Sequence, residues 1–150
     1  MAMGRIGRKE EEGQMTVLIV GFVLLALLLA AVVMATSAIY LEHKKLLSLA
    51  DGAALAAADS YVVGDIEGSS VPSASLVDER VLGAVDLYLE NSEAFSMHDH
   101  LDVSPETGSS PGGTAVVVLS AIAHPPLVTF LLPEGIPVEA RSTARSRLTQ

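Results

Sequence analysis

Cysteine and tryptophan are both absent from this chain of 150 residues. The absence of cysteine excludes disulfides, thiol catalysis and cysteine-ligated zinc, and it leaves the redox compartment undecided. Aromatic residues make up only 4% of the chain, too few to line a large aromatic pocket. Basic residues are scarce as well, since nine face eighteen acidic ones for a net charge of −9. With no basic cluster to contact a phosphate backbone, we expect no nucleic-acid partner.

Recognisable catalytic motifs are missing too. Serine, histidine and aspartate are present, but no nucleophile-elbow motif places them, and the glycines form no phosphate-binding loop. The nearest approach to a metal site is "MHDHLD", in which His98, His100 and Asp102 would share one face of a strand. The solvated face of an edge strand has the same composition, and we prefer that interpretation. The sequence therefore predicts no catalytic residue, no metal ligand and no cofactor, so we expect a protein that is not an enzyme.

A long uncharged apolar segment near the N-terminus is present instead. No charged residue lies within residues 13–41, and a helix needs about 20 residues to cross a hydrocarbon core of roughly 30 Å. Tyr40 falls near the end of the segment, where an amphipathic ring suits a membrane interface, and Lys44 and Lys45 follow. We therefore predict one membrane-spanning helix over residues 13–41.

A cleavable secretory signal is the alternative interpretation of the same segment. Arg5, Arg8 and Lys9 would form its basic region, and Val33-Met34-Ala35 its cleavage site. Signal peptides have apolar cores of about 7–15 residues, however, and this one is longer. The three N-terminal cations outnumber the two that follow the segment, which favours a cytoplasmic N-terminus. The predicted organisation is a cytoplasmic leader (residues 1–12), a transmembrane helix (13–41), an exported helical stalk (42–63) and an extracytoplasmic head (64–150).

The segment beyond the span, "LSLADGAALAAADSY" (residues 47–61), predicts a helix rich in small side chains. It contains no proline, and alanine and leucine are the strongest helix formers. Small residues recur at spacings of three and four, so they form one narrow stripe, and two aspartates lie on another row. Such a stripe packs closely on a partner, either the chain's own sheet or a neighbouring copy. The residues predicted to mediate this packing are Ala50, Asp51, Ala54, Ala57, Ala58 and Asp59.

The remaining residues predict a small α+β unit. Helical spacing of apolar residues indicates a second helix from Ser73 to Asn91, with a capping box at Ser75 and Asp78. The apolar period then changes to two, which indicates strands. The predicted strands are residues 101–103, 114–123 and 136–145, separated by loops at 105–113 and 124–135. The expected fold class is therefore α+β, with a long N-terminal helix, a second helix and a small antiparallel sheet of about three strands.

These features together resemble the N-terminal region of the TadE/TadG-like pseudopilins, the minor pilin-like proteins of the tight-adherence (Flp, type IVc) pilus system. The residues that carry the resemblance are Gly13-Gln14 before the apolar helix, Tyr40 at its end, and Ala50-Asp51 with Ala53–Ala58 in the stalk. The family's closing hairpin is matched more loosely, by Val116, Val118, Val138, Ala140 and Ala144. The resemblance implies a pilin-like fold, with a helix half in the membrane and a small exported head.

The resemblance also implies a function and partners. A subunit of this kind is expected to be a structural, non-catalytic, membrane-anchored protein that takes part in assembling or anchoring a pilus. Its expected partners are the lipid bilayer, other pilin-like subunits, the pilus assembly machinery and a prepilin peptidase. A membrane-tethered or secreted extracytoplasmic binding domain unrelated to pili is the alternative function.

The resemblance places the peptidase cleavage between Gly13 and Gln14. The fifth residue after that bond is Leu18, where pilins typically carry glutamate. The residues immediately before Gly13 are Glu10–Glu12, where pilin leaders are basic. A processed subunit and a permanently anchored one therefore both stay open.

Overall fold

In the computed structural model, one long helix continues into a small α+β head. The structure describes residues 7–66, 74–111, 113–126, 128–130 and 132–145. In chain order its elements are α1 (Gly7–Ile66), α2 (Ala74–Asn91), α3 (Ala94–Met97), β1 (Asp102–Val103), β2 (Gly108–Ser110), β3 (Thr114–Ala123) and β4 (Ile136–Arg145). The predicted α+β class is confirmed, with a sheet of four strands instead of about three.

Helix α1 runs without interruption for 60 residues, through both the predicted span and the predicted stalk. No proline occurs along it, and its many alanines and leucines favour the helical state. The sequence predicts an end between Tyr61 and Gly64, followed by the loop "GDIEGSS". The helix instead reaches Ile66, so the first three residues of that predicted loop are helical. The other four lie outside the described residues.

The sheet is antiparallel and is built around β3. Strand β4 pairs with β3 along its whole length, from Thr114 opposite Arg145 to Ala123 opposite Ile136. The short strands β1 and β2 share the other edge of β3. This register places the β3–β4 loop and the β2–β3 turn at opposite ends of the sheet.

Strand β2 lies inside residues 105–113, which the sequence predicts as a loop, so that part of the prediction is wrong. The chain turns back sharply after β2, and Gly113 has a positive φ of 70° that glycine adopts readily. This turn brings Gly108 opposite Val116 and Ser110 opposite Thr114. Three residues therefore suffice to add a fourth strand.

The core lies where α1 and α2 pack against the sheet. Strand β3 is buried on both faces from Ala115 to Leu119, as its continuous apolar sequence predicts. Along β4, Val138 and Ala140 are buried and Ser142 and Ala144 are half-buried, whereas the alternating residues Glu139, Arg141, Thr143 and Arg145 are exposed. The predicted alternation of this strand is confirmed.

Helix α2 contributes three fully buried side chains, Val81, Val85 and Leu89, to the same core. Val81 and Val85 belong to the apolar face that the sequence predicts. The regular spacing of these three residues turns one side of α2 toward α1 and leaves the other side to solvent.

The predicted capping box of α2 is wrong. The helix begins at Ala74, so Ser75 lies inside it. The Asp78 carboxylate instead accepts hydrogen bonds from the hydroxyl of Ser109, at 2.6 Å, and from its backbone amide, at 2.8 Å. These two bonds tie α2 to β2, and because they favour the ionised carboxylate they hold the pKa of Asp78 below its ordinary value.

Candidate functional site: the two halves of the N-terminal helix

The first half of α1 presents apolar side chains on all sides. Every large apolar side chain between Met15 and Met34 is exposed, including Phe22 at 71%. Within the described residues, α1 is the one helix long and apolar enough to cross a bilayer, and none of its most apolar window is buried inside the protein. A helix that is apolar all round and uncovered by its own protein suits hydrocarbon, because its backbone groups are satisfied internally.

The second half of α1 is covered by the head. Leu46 begins the buried stretch, and the small residues that follow on the same side pack against β3, β4 and α2. The buried small residues are Ala50, Ala53, Ala54, Ala57 and Ala58, each 0–2% exposed. Side chains this short allow the helix to approach the sheet closely. The chain's own sheet therefore covers the alanine stripe, and a role for these residues in subunit assembly remains a prediction.

The second predicted row of this helix faces outward. Leu55 is 60% exposed, and Asp51 and Asp59 are exposed as well. The Asp51 carboxylate accepts a hydrogen bond of 2.5 Å from the hydroxyl of Ser142 on β4. This bond joins α1 to β4 at the edge of the packed face, where Asp51 remains accessible to water.

Gly52 lies directly against Tyr88 of α2. A Cβ atom at this position would lie 2.0 Å from the hydroxyl oxygen of Tyr88 and 2.5 Å from the ring carbon that bears it. No real Cβ atom approaches another atom so closely, so the tyrosine ring occupies the space that a side chain would need. The sequence shows only a glycine within an alanine-rich block, which by itself does not identify the partner.

A hydrogen bond between a carboxylate and a histidine joins α1 to the head, four residues before the buried stretch begins. The Glu42 carboxylate accepts a hydrogen bond of 2.7 Å from Nδ1 of His98, and Lys45 Nζ lies 3.5 Å from the other carboxylate oxygen. The His98 side chain is only 7% exposed, so this contact is shielded from water. Sequence reasoning missed it, because the two residues are far apart in the chain and the cluster that contains His98 indicated a different role.

The predicted strand face of His98, His100 and Asp102 does not exist. Strand β1 begins only at Asp102, and His100 has a left-handed backbone conformation with φ of 53°. His98 turns toward Glu42 instead of sharing a face with the other two residues. Among the described side chains, no group of three histidines, aspartates or glutamates is arranged to hold a metal ion.

The predicted cleavage residues lie at the start of the apolar half. Gly13 and Gln14 are both exposed within α1, and a Cβ at Gly13 would meet no atom within 4 Å. The bond between them is therefore on the surface of the helix, and its cleavage remains a prediction.

One comparison with known proteins matches the two halves of α1 described above. The family model described as "Putative Flp pilus-assembly TadE/G-like" matches residues 13–60, from Gly13 through the apolar half and the alanine stripe. No curated protein and no solved structure matches the chain. The match supports a membrane-anchored, single-pass protein of the Flp pilus system. The resemblance that the sequence predicts is thus confirmed over residues 13–60, which are similar to the TadE/G-like family.

Proposed function

We propose that this protein is a structural, non-catalytic, pilin-like subunit that takes part in assembling or anchoring an Flp pilus from the membrane. The observation that carries the proposal is the continuity of α1 through Gly7–Ile66. Its first half is exposed and apolar, and its second half is part of the core of the head. Because the alanine stripe is packed between β3, β4 and α2, the span and the head move as one body. A subunit that is positioned through its membrane helix needs this rigidity.

The test of this proposal is the number of surface pili in cells that lack the gene. We expect pili to disappear or become rare, and the full-length chain supplied in trans to restore them. Normal pili in cells without the protein would instead favour the alternative function, a tethered binding domain that shares only the architecture. Immunogold electron microscopy of whole cells makes the count directly.

We place the N-terminus in the cytoplasm and the head outside it. Support comes from the cations, since three precede the apolar segment and two follow it. The natural chain has no cysteine, so a single Glu106→Cys substitution gives one labelling site on an exposed turn of the head. A membrane-impermeant maleimide should label this site in intact cells. Labelling that requires lysis would reverse the orientation.

Processing by a prepilin peptidase between Gly13 and Gln14 is part of the same proposal. Both residues are exposed, so the bond is accessible on the helix surface. Co-expression with an active peptidase should give a product whose intact mass corresponds to a chain starting at Gln14, and Gly13→Leu should block the cleavage. An uncut natural chain, beside a pilin that the same peptidase does cut, would establish a permanently anchored subunit.

A further inference from the structure

The β3–β4 loop, residues 124–135, lies at the membrane end of the head. The hydrogen bond between Asp51 and Ser142 shows that these residues of α1 and β4 lie at the same height along the helix axis. From Ser142 back to Ile136 the strand covers about 20 Å. A helix needs about 13 residues to cover the same distance. Counting about 13 residues back along α1 from Asp51 reaches the level of Ala38. The loop that precedes Ile136 therefore starts beside the last turns of the predicted span.

A crevice between the helix and the loop supports the same placement. The residues that line it are Ala38, Leu41, Glu42 and Lys45 of α1, together with Ala123, His124 and Pro125 where β3 runs into the loop. Leu41 is the last residue of the uncharged segment. The first residues of the loop thus adjoin the point at which α1 leaves the hydrocarbon.

The loop is apolar in sequence, and its described residues include exposed apolar side chains. No charged residue lies between His124 and Glu134. The side chain of Phe130 is 94% exposed, the most of any large apolar residue among those described, and Leu132 is 50% exposed. An exposed apolar patch of this kind typically marks a surface that binds protein or membrane.

The loop's own backbone holds these side chains outward. The amide of Thr129 donates to the carbonyl of Pro125 (3.3 Å), and the amide of Leu132 donates to that of Val128 (2.8 Å). The amide of Gly135 closes the loop by donating to the carbonyl of Leu132 at 3.1 Å. A compact loop with internally bonded amides can enter a membrane interface at less cost than an open one.

We propose that the β3–β4 loop is a second membrane contact, in which Phe130 and Leu132 enter the interface of the leaflet from which α1 emerges. Continuity selects lipid as the occupant, because the loop adjoins the exposed apolar band of α1 at its end. Phenylalanine and leucine are favoured at this depth, and Lys44 and Lys45 of the neighbouring helix turn lie where lipid phosphates would be. The proposal rests on residues 13–41 spanning the bilayer.

Two contacts fix the orientation of the head as well as its position. A single helix crossing would leave the span and the head free to tilt together relative to the bilayer plane. The loop adds a second point of support on the side of the sheet, so the head rests on the bilayer. The β2–β3 turn at Pro111, at the opposite end of β3, is then the part of the sheet farthest from lipid.

Quenching by spin-labelled lipid tests this placement on the full chain. The protein is reconstituted at one copy per nanodisc of phosphatidylcholine and phosphatidylglycerol, with an environment-sensitive fluorophore on a single introduced cysteine. Glu134→Cys reports on the loop while Phe130 and Leu132 stay in place. Leu24→Cys is the reference inside the span, and Pro111→Cys is the reference at the far end of the sheet. A matched control carries Glu134→Cys together with Phe130→Ser and Leu132→Ser.

The proposal predicts strong quenching at the Leu24 and Glu134 sites and severalfold weaker quenching at the Pro111 site. The two serine substitutions should lower quenching at the Glu134 site severalfold and leave the Leu24 site unchanged. Quenching at the Glu134 site no stronger than at the Pro111 site, with the Leu24 site fully quenched, would overturn the loop contact and leave the anchor intact. A weakly quenched Leu24 site would overturn both. If the Glu134 site is shielded from the lipid quencher only when several copies share a nanodisc, the loop contacts a second copy. That result would overturn the lipid contact.

Discussion

At the scale of single residues, the absence of side-chain volume is what lets the N-terminal helix join the head. Gly52 is the clearest case, because Tyr88 occupies the place of its missing Cβ. In an isolated helix, glycine would cost about 1 kcal/mol relative to alanine. The contact with Tyr88 reverses that preference at this one position.

We predict that Gly52→Ala destabilises the head by about 1–3 kcal/mol, because the Tyr88 ring must leave its site. Gly83→Ala on α2 is the matched control, since a Cβ there meets no atom within 4 Å. The control should stabilise the protein by up to about 1 kcal/mol through helix propensity alone. Thermal melts of the full chain in detergent, followed by circular dichroism, compare the two. Equal stabilisation by both variants would contradict the Tyr88 contact.

Asp78 makes the stability of the contact between α2 and β2 dependent on pH. Its pKa is lowered in the folded state by hydrogen bonds from the hydroxyl and amide of Ser109. Its stabilising contribution is therefore fully present above the unfolded-state pKa of about 3.9 and is lost as pH falls through the lower folded-state value. Asp78→Asn should lower stability at neutral pH and reduce the loss on acidification. Asp86→Asn, an exposed aspartate of the same helix, is the control for denaturation curves at a series of pH values. An acid profile unchanged by Asp78→Asn would contradict this role.

At the scale of elements, the packing of α1 on the sheet follows from its alanine stripe. Ala54 is 0% exposed within that packing. Ala54→Leu should cost about 1–3 kcal/mol, because the added carbons must displace the sheet or α2. Ser48→Leu adds a leucine to an exposed position of the same helix and should change stability by less than about 0.5 kcal/mol. Chemical denaturation of the full chain compares the stability of the two variants. Equal midpoints would show that the alanine stripe is not packed.

Much of this architecture can be predicted from the sequence, because its signals are periodic or compositional. The uncharged run gives the span, the alanine spacing gives the packed stripe, and the alternation of Val138 and Ala140 gives the face of β4. The fourth strand was missed because Gly108–Ser110 has turn composition and pairs only through its contact with β3. The bonds of Glu42 with His98 and of Asp78 with Ser109 were missed for a related reason. Each joins residues distant in the chain, and the local patterns around Asp78 and His98 indicated other roles for them.

At the scale of the whole molecule, one helix serves two environments. Its exposed apolar half fits hydrocarbon, and its alanine half is covered by β3, β4 and α2. The Glu42–His98 pair stands between the two halves and joins the helix to the head at the end of the predicted span. In the proposed role, this continuity transmits the position of the span to the head, which a flexible tether would not do.

The most direct measurement of the proposed pilin-like role is a count of surface pili after the span alone is exchanged. Residues 13–41 are replaced by an unrelated single-pass helix of equal length, which keeps Glu42, the alanine stripe and the head. Carbonate extraction and melting of the head serve as controls that the exchanged protein remains anchored and folded. The pilin-like role predicts that these cells lose their Flp pili although the protein is present and folded. Piliation equal to that of cells with the natural chain would contradict it, because the span would then be only an anchor.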